Sequence, residues 1–269
     1  MEVIKRNNIS IKGEGKKVML FAHGYGCDQN MWRFITPEFE KDYQVILFDH
    51  IGSGKSDLGY YNKNKYAKLH GYANDILDIC DALNLKNVIL VGHSVSTMIA
   101  LLAANKNKSL FSHIIMICPS PCYINEENYI GGFSKEDILE MLESLESNYL
   151  GWSSSITPVI MGNPERPELT EELKNSFCRQ DPEIAKHFAR ATFLGDYRKD
   201  LEECMTPTLI IQCSNDAIAP KEVGDYTNKH IHKSEMVTIE ATGHCPHLSH
   251  PTETIQAIKN YLAVNLTDE

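Results

Sequence analysis

These 269 residues contain no CxxC pair, no HExxH, no internal repeat and no apolar run approaching a membrane span. A bilayer-crossing helix needs about 20 consecutive apolar residues, so none is expected. The first ten residues, MEVIKRNNIS, lack the apolar core of a secretion signal, which points to a cytoplasmic protein. Positive charge is scarce: 26 Lys and Arg stand against 36 Asp and Glu, a net charge of −10. That balance offers no basic footprint for nucleic acid or an anionic membrane. The eight cysteines, at 27, 80, 118, 122, 178, 204, 213 and 245, are scattered through apolar segments. They read as reduced, buried fillers rather than as a disulfide framework. Two glycine-rich stretches are incomplete as phosphate or nucleotide motifs. Gly54-Lys55-Ser56 would need a leading glycine at Asp49, and Gly24-Tyr25-Gly26 would need one at Gln29. A cluster from His244 to His250 invites a metal, but Pro246 and Pro251 keep it from forming one helix face, and no metal or cofactor is expected.

What is present is an alternation. Short apolar runs at residues 18–21, 45–48, 88–91, 114–117, 208–213 and 236–239 are near-continuously hydrophobic, as strands covered on both faces must be. Helical periodicity lies between them at 72–83, 95–104 and 252–262. Strands alternating with helices predict an α/β fold with a mostly parallel central sheet flanked by helices. Residues 123–196 break the alternation and read as helix, with the best segments at 135–149, 170–178 and 182–193. Ser134 and Asp181-Pro182 supply start signals there. An insertion of this length is too long for a loop, so the chain divides into a core, 1–122 and 197–269, and a helical cap, 123–196.

One motif carries chemistry. Ile89-Leu90-Val91-Gly92-His93-Ser94-Val95-Ser96 is an apolar strand, a small-residue turn and then an apolar helix. This is the context of a nucleophile elbow, G-x-S-x-G, with Ser96 in place of the last glycine. A serine hydroxyl needs a base, and the base needs an orienting acid. In elbow hydrolases the acid and then the histidine follow in chain order, each on a loop after a strand. Asp216 follows the run at 208–213, and His244 follows the run at 236–239 through Gly243. His247 and His250 compete with His244 but stand further from the strand end. The amide of Val95, directly after the nucleophile, is one candidate donor to a developing oxyanion.

The elbow, the His23-Gly24-Tyr25-Gly26 loop, the stretch from Phe48 to Asp57 and the stretch from Gly243 to Pro251 together resemble the α/β-hydrolase family. Within it the chain is similar to the bacterial RsbQ-type stress regulators and to the plant karrikin and strigolactone receptors. Pro119-Ser120-Pro121-Cys122-Tyr123 and Phe188-Ala189-Arg190-Ala191 add to this likeness, and Gly-His-Ser-Val-Ser is an elbow form found in that subgroup. The resemblance implies a four-helix cap over an apolar pocket and a second oxyanion amide at Tyr25. It also implies a small hydrophobic substrate, an ester or lactone. Its further implication is a partnership with a PAS-domain PP2C-type serine phosphatase, as RsbQ has with RsbP, in energy-stress activation of sigma factor B.

The expected chemistry is therefore a Ser94–His244–Asp216 triad with Tyr25 and Val95 amides as the oxyanion hole. Tyr25, Phe133, Trp152 and Phe193 are the candidate pocket walls. Two alternatives stand beside it: a ligand-binding signalling module with incidental turnover, and a metabolic carboxylesterase, C–C hydrolase or cofactor-free haloperoxidase. A haloalkane dehalogenase is disfavoured because its nucleophile is an aspartate and position 94 is serine.

Overall fold

The computed structural model describes residues 2–266. Its centre is a seven-stranded sheet in the order β1-β3-β2-β4-β5-β6-β7. The strands are β1 (Ser10–Lys12), β2 (Lys17–Ala22), β3 (Tyr43–Leu47), β4 (Val88–His93), β5 (Phe111–Ile117), β6 (Thr208–Asn215) and β7 (Ser234–Thr242). Only β1 runs antiparallel to its neighbour. It is a short edge strand with Ser10 half-buried and Ile11 and Lys12 exposed, which is why no apolar run announced it.

The inner strands obey burial. Every residue of β4 is buried, as is fitting for the middle of a sheet covered on both faces. One face packs against α1 (Leu69–Ala82) and α2 (Val95–Lys106), whose apolar residues join Leu20, Ile46 and Leu90 in one core. The other face packs on α8 (Pro251–Asn265) and the loops after β2, where Phe21, Val91 and Ile211 meet Trp32, Phe39 and Tyr261. Helix α7 (Lys221–His230), half-polar and short of apolar residues, follows β6 and was not visible as a periodic segment.

Between β5 and β6 stand the cap helices α3 (Lys135–Ser147), α4 (Tyr149–Met161), α5 (Pro167–Cys178) and α6 (Pro182–Phe193). The insertion is closed at its neck by an antiparallel bridge between Cys122 and Asp196, with Tyr197 N–H donating to Pro121 O at 2.8 Å. The sequence reading ran one helix from 135 to 149 and missed α4. Asn148, whose side chain caps the next helix through the Gly151 N–H, instead breaks the chain into two helices. Three consecutive serines and Pro158 hid the second one; the serine hydroxyls turn back onto carbonyls one turn earlier. Ser134 caps α3 through a reciprocal pair with Asp137.

The cap seats on the core at two left-handed glycines. A Cβ on Gly26 (φ +73°) would strike the Phe177 ring of α5, and one on Gly52 (φ +93°) would strike Ile184 of α6. Arg33, on the core side, adds a two-pronged ion pair to Glu172 of α5 at 2.5 and 2.6 Å. Gly26→Ala is expected to destabilise the protein by about 1–3 kcal/mol, because alanine resists this backbone and its methyl displaces Phe177. Urea unfolding measures it, and an unchanged midpoint would count against this seating.

Candidate active site

The site is built at the carboxyl end of the sheet, where three loops converge. Strand β4 ends at His93 and α2 begins at Val95, so Ser94 alone makes the turn, with φ 54° and ψ −123°. A residue with a β-carbon rarely adopts this conformation, and the surroundings hold it. Ser94 N–H donates to Ile117 O at 2.9 Å, while Ser94 O accepts from Thr97 N–H at 2.9 Å and from the Thr97 hydroxyl at 2.6 Å. Gly92 makes the turn possible, since a Cβ there would lie 2.5 Å from Ser96 O.

His244 follows Gly243 at the end of β7, and Asp216 follows β6. Ser94 Oγ and His244 Nε2 are 2.7 Å apart, and His244 Nδ1 lies 2.7 Å from Asp216 Oδ2. Asp216 Oδ1 accepts the amides of Ile218 (2.8 Å) and Ala219 (3.1 Å). Burial would raise the carboxyl, but the neighbouring imidazole charge and these hydrogen bonds outweigh it and hold the group below its usual range. An ionised Asp216 only accepts, so the proton sits on His244 Nδ1 and Nε2 is free to take the serine proton.

The backbone of His244 is gripped from two sides. His93 Nε2–H donates to His244 O at 2.7 Å, and His244 N–H donates to Ile160 O of cap helix α4 at 2.7 Å. Sequence reasoning missed both. His93 was legible only as the variable residue of the elbow, and a main-chain carbonyl in an unrecognised helix leaves no sequence signal. His247 lies one ring away, 4.4 Å between centroids from His93 and 4.7 Å from Trp32, and His250 precedes α8 as its cap residue. Neither reaches Ser94.

Val95 is the first residue of α2, whose amide has no partner within the helix. The turn at 24–27 closes through Cys27 N–H to Gly24 O at 3.3 Å and leaves the Tyr25 amide outside that bond. The Tyr25 ring is buried, donates its hydroxyl to Ala185 O at 3.0 Å, and meets Trp152, Phe177 and Phe193 edge-on.

Above Ser94 and His244 is a small cavity of about 50 Å³. One water needs roughly 10–15 Å³, so the cavity has room for only a few. Tyr25, Phe133, Trp152 and Phe193 all line it, together with Tyr123 and Ile156. Its walls are carbon almost throughout, so it accepts a compact, uncharged, apolar group.

One trio among the described residues has metal-ligand geometry: Cys118 Sγ, an Asp216 oxygen and a His244 nitrogen lie within 4.8 Å of one another. Two of these atoms belong to residues of the Ser94–His244–Asp216 hydrogen-bond chain. Cys118 is a buried thiol, pushed up by burial and by Cys213, whose sulfur lies 3.6 Å away.

Four further imidazoles are wholly buried: His23, His50, His93 and His247. Desolvation lowers all four, His247 to about 3. An unfolded chain protonates its histidines near pH 6.5, so below that pH it binds protons that the native state refuses. Stability is therefore complete above about pH 6.5 and is lost as pH falls toward the folded values. Each group contributes a slope of up to about 1.4 kcal/mol per pH unit. Asp216 adds to this loss only below the usual carboxylate range. The urea midpoint is expected to drop markedly between pH 7.5 and 5.5; a flat profile would mean that these rings are charged or solvated.

A sequence profile of the family described as alpha/beta hydrolase fold matches residues 17–251. A hydrolase from Oleispira antarctica of known structure is 46% identical, with a TM-score of 0.95 over 97% of this chain and 96% of that one. The chain is 33% identical to strigolactone esterase D14 of Arabidopsis thaliana, covering 97% of each protein. It is also 33% identical to Karrikin insensitive 2 receptor IA of Petunia hybrida, over 96% of this chain and 95% of that protein. Among the described residues no helix is long and apolar enough to cross a membrane.

Proposed function

The chain belongs to the α/β-hydrolase family, and from that premise we propose that it is a serine hydrolase cleaving a small, hydrophobic ester or lactone. The observation that carries this reading is the continuous hydrogen-bond chain Ser94–His244–Asp216, two links of 2.7 Å opening onto an apolar cavity. His244 Nε2 takes the proton as Ser94 Oγ attacks the carbonyl carbon, and the developing imidazolium is stabilised by Asp216. The Tyr25 and Val95 amides receive the oxyanion. His244 then protonates the leaving oxygen; in the second half its Nε2 takes a proton from the water that attacks the acyl carbon and returns it to Ser94 Oγ as the acid departs.

The finer part of the proposal is regulatory. The hydrolase acts as a positive regulator in the energy-stress branch of sigma factor B activation, with a PAS-domain PP2C-type serine phosphatase of the RsbP kind as its partner. Support for it comes from the resemblance through Pro119–Tyr123 and the cap, and from a relative named as a receptor. A fluorophosphonate probe tests the chemistry: wild type is expected to be labelled and Ser94→Ala not. Reconstitution with the phosphatase tests the rest. Activation that depends on Ser94 and His244 supports hydrolysis as the signal, and activation by His244→Ala at full strength favours ligand binding alone. Broad, fast ester turnover with no effect on any phosphatase favours a metabolic esterase.

A further inference from the structure

The elbow carries serine where its last glycine is expected, and nothing in the triad uses it. Ser96 is fully buried and faces the loop that follows β2. Its hydroxyl donates to His23 O at 2.5 Å, and His50 Nε2 lies 2.8 Å from Ser96 Oγ. His50 N–H donates to His23 Nε2 at 3.1 Å, and His23 Nδ1 lies 2.9 Å from Gly24 O.

These four contacts admit one arrangement of protons. His23 Nε2 accepts an amide, so His23 is the neutral Nδ1–H tautomer, and that N–H donates to Gly24 O. The Ser96 proton goes to a carbonyl, which can only accept, so Ser96 Oγ accepts from His50 Nε2–H. His50 Nδ1 is then without a proton, and it is buried with no partner. His23, His50 and Ser96 are all fully buried, so water is no substitute for any of these bonds.

Gly24 O belongs to the same peptide unit as the Tyr25 N–H. In a trans peptide the two point in opposite directions. Fixing Gly24 O by His23 Nδ1–H and by Cys27 N–H at 3.3 Å therefore aims the Tyr25 amide the other way. The loop also lies hard against the elbow: a Cβ on Gly24 would come within 2.5 Å of His93 Nδ1 and 3.5 Å of Ser94 Cβ. We infer that Ser96, His50 and His23 form a positioning relay that aims the Tyr25 amide at the oxyanion, with Ser96 tying the oxyanion loop to the helix that bears the nucleophile. None of the three touches the reacting atoms. The inference rests on the serine-hydrolase reading for its kinetic consequence but not for its proton arrangement.

The test combines kinetics and nitrogen NMR on the full-length protein. Ser96→Ala and His50→Leu are expected to lower kcat about tenfold or more, short of the 10²–10³-fold that loss of an oxyanion donor costs, with KM little changed. Phosphonylation by a fluorophosphonate should slow in parallel, because it forms the same anionic tetrahedral centre. His50→Gln, whose amide nitrogen can stand where Nε2 did, is expected to recover most of the rate, which a role in folding alone would not produce. In wild type the His23 ring should show the Nδ1-protonated tautomer at neutral pH. Unchanged kcat and phosphonylation in folded Ser96→Ala would overturn the relay, as would a loss confined to KM. An Nε2-protonated His23 would do the same. If wild type were not labelled at all, the serine-hydrolase reading would fall, and the His23 tautomer would still decide the relay.

Discussion

Ser94→Ala is expected to lower kcat by about 10⁵–10⁶-fold while leaving the fold and the affinity for apolar ligands intact. The side chain removed is small, stands on a turn held by backbone bonds to Ile117 and Thr97, and gives up one hydrogen bond to His244. What remains is a cavity and an oxyanion site, which position a substrate but supply no nucleophile. Residual catalysis of about 10³–10⁴ over water is what such remnants retain elsewhere. Single-turnover kinetics on an activated aryl ester measure the loss. A variant retaining more than a few per cent of wild-type kcat would show that another group attacks the carbonyl.

Asp216→Asn carries the second largest effect, a fall in kcat of about 10⁴-fold, and its cause is a proton on the wrong nitrogen. Asp216 Oδ1 is claimed by the amides of Ile218 and Ala219, which can only donate. An asparagine must therefore place its oxygen there and turn its NH₂ toward His244. His244 Nδ1 then has to accept, so the ring proton moves to Nε2 and faces Ser94, where it cannot serve as a base. Geometry would be preserved and function lost. The measurement is kcat against pH together with the His244 ring-nitrogen shifts. Wild-type turnover in Asp216→Asn would mean that the carboxylate does not set the tautomer.

The smaller expected effects have a common physical origin with these. The lowered imidazoles of His93 and His247 beside the triad come from burial without charge, the same environment that makes the Ser94–His244–Asp216 links strong. Acid instability is the cost of a dry site. The Gly26 seat belongs to the same design, because the aromatic shell of Phe177, Trp152 and Tyr25 that excludes water closes only where the chain has no Cβ.

How much of this was readable beforehand depended on whether the signal was local. The strands at 88–93 and 208–215 are apolar runs with turn residues behind them, so their existence followed from composition alone, and only their ends shifted by a residue or two. Ser94, Asp216 and His244 stood out because each lies in the turn or loop at the end of such a run, His244 just after Gly243. Helix α4 did not, since Pro158 and a serine triplet argue against a helix, and the bonds from the Tyr149 hydroxyl to Phe177 O of α5 and from His244 N–H to Ile160 O overrule that preference. β1 was invisible because three residues, none of them buried, carry no period.

The sequence by itself determined the α/β alternation, the elbow, the order of serine, acid and histidine, and the residues from which a helical cap would be made. These are properties of spacing and of burial summed over short windows, and spacing survives in one dimension. Only the tertiary structure decided that His93 and the carbonyl of Ile160 hold His244 between the elbow and the cap, and that all four candidate aromatics face one cavity. It alone gave the serine at position 96 a partner, the His23 carbonyl on another loop. Each of those facts is a hydrogen bond or ring contact between segments far apart in the chain, and it arises only once folding has buried both partners and left them no water to choose instead.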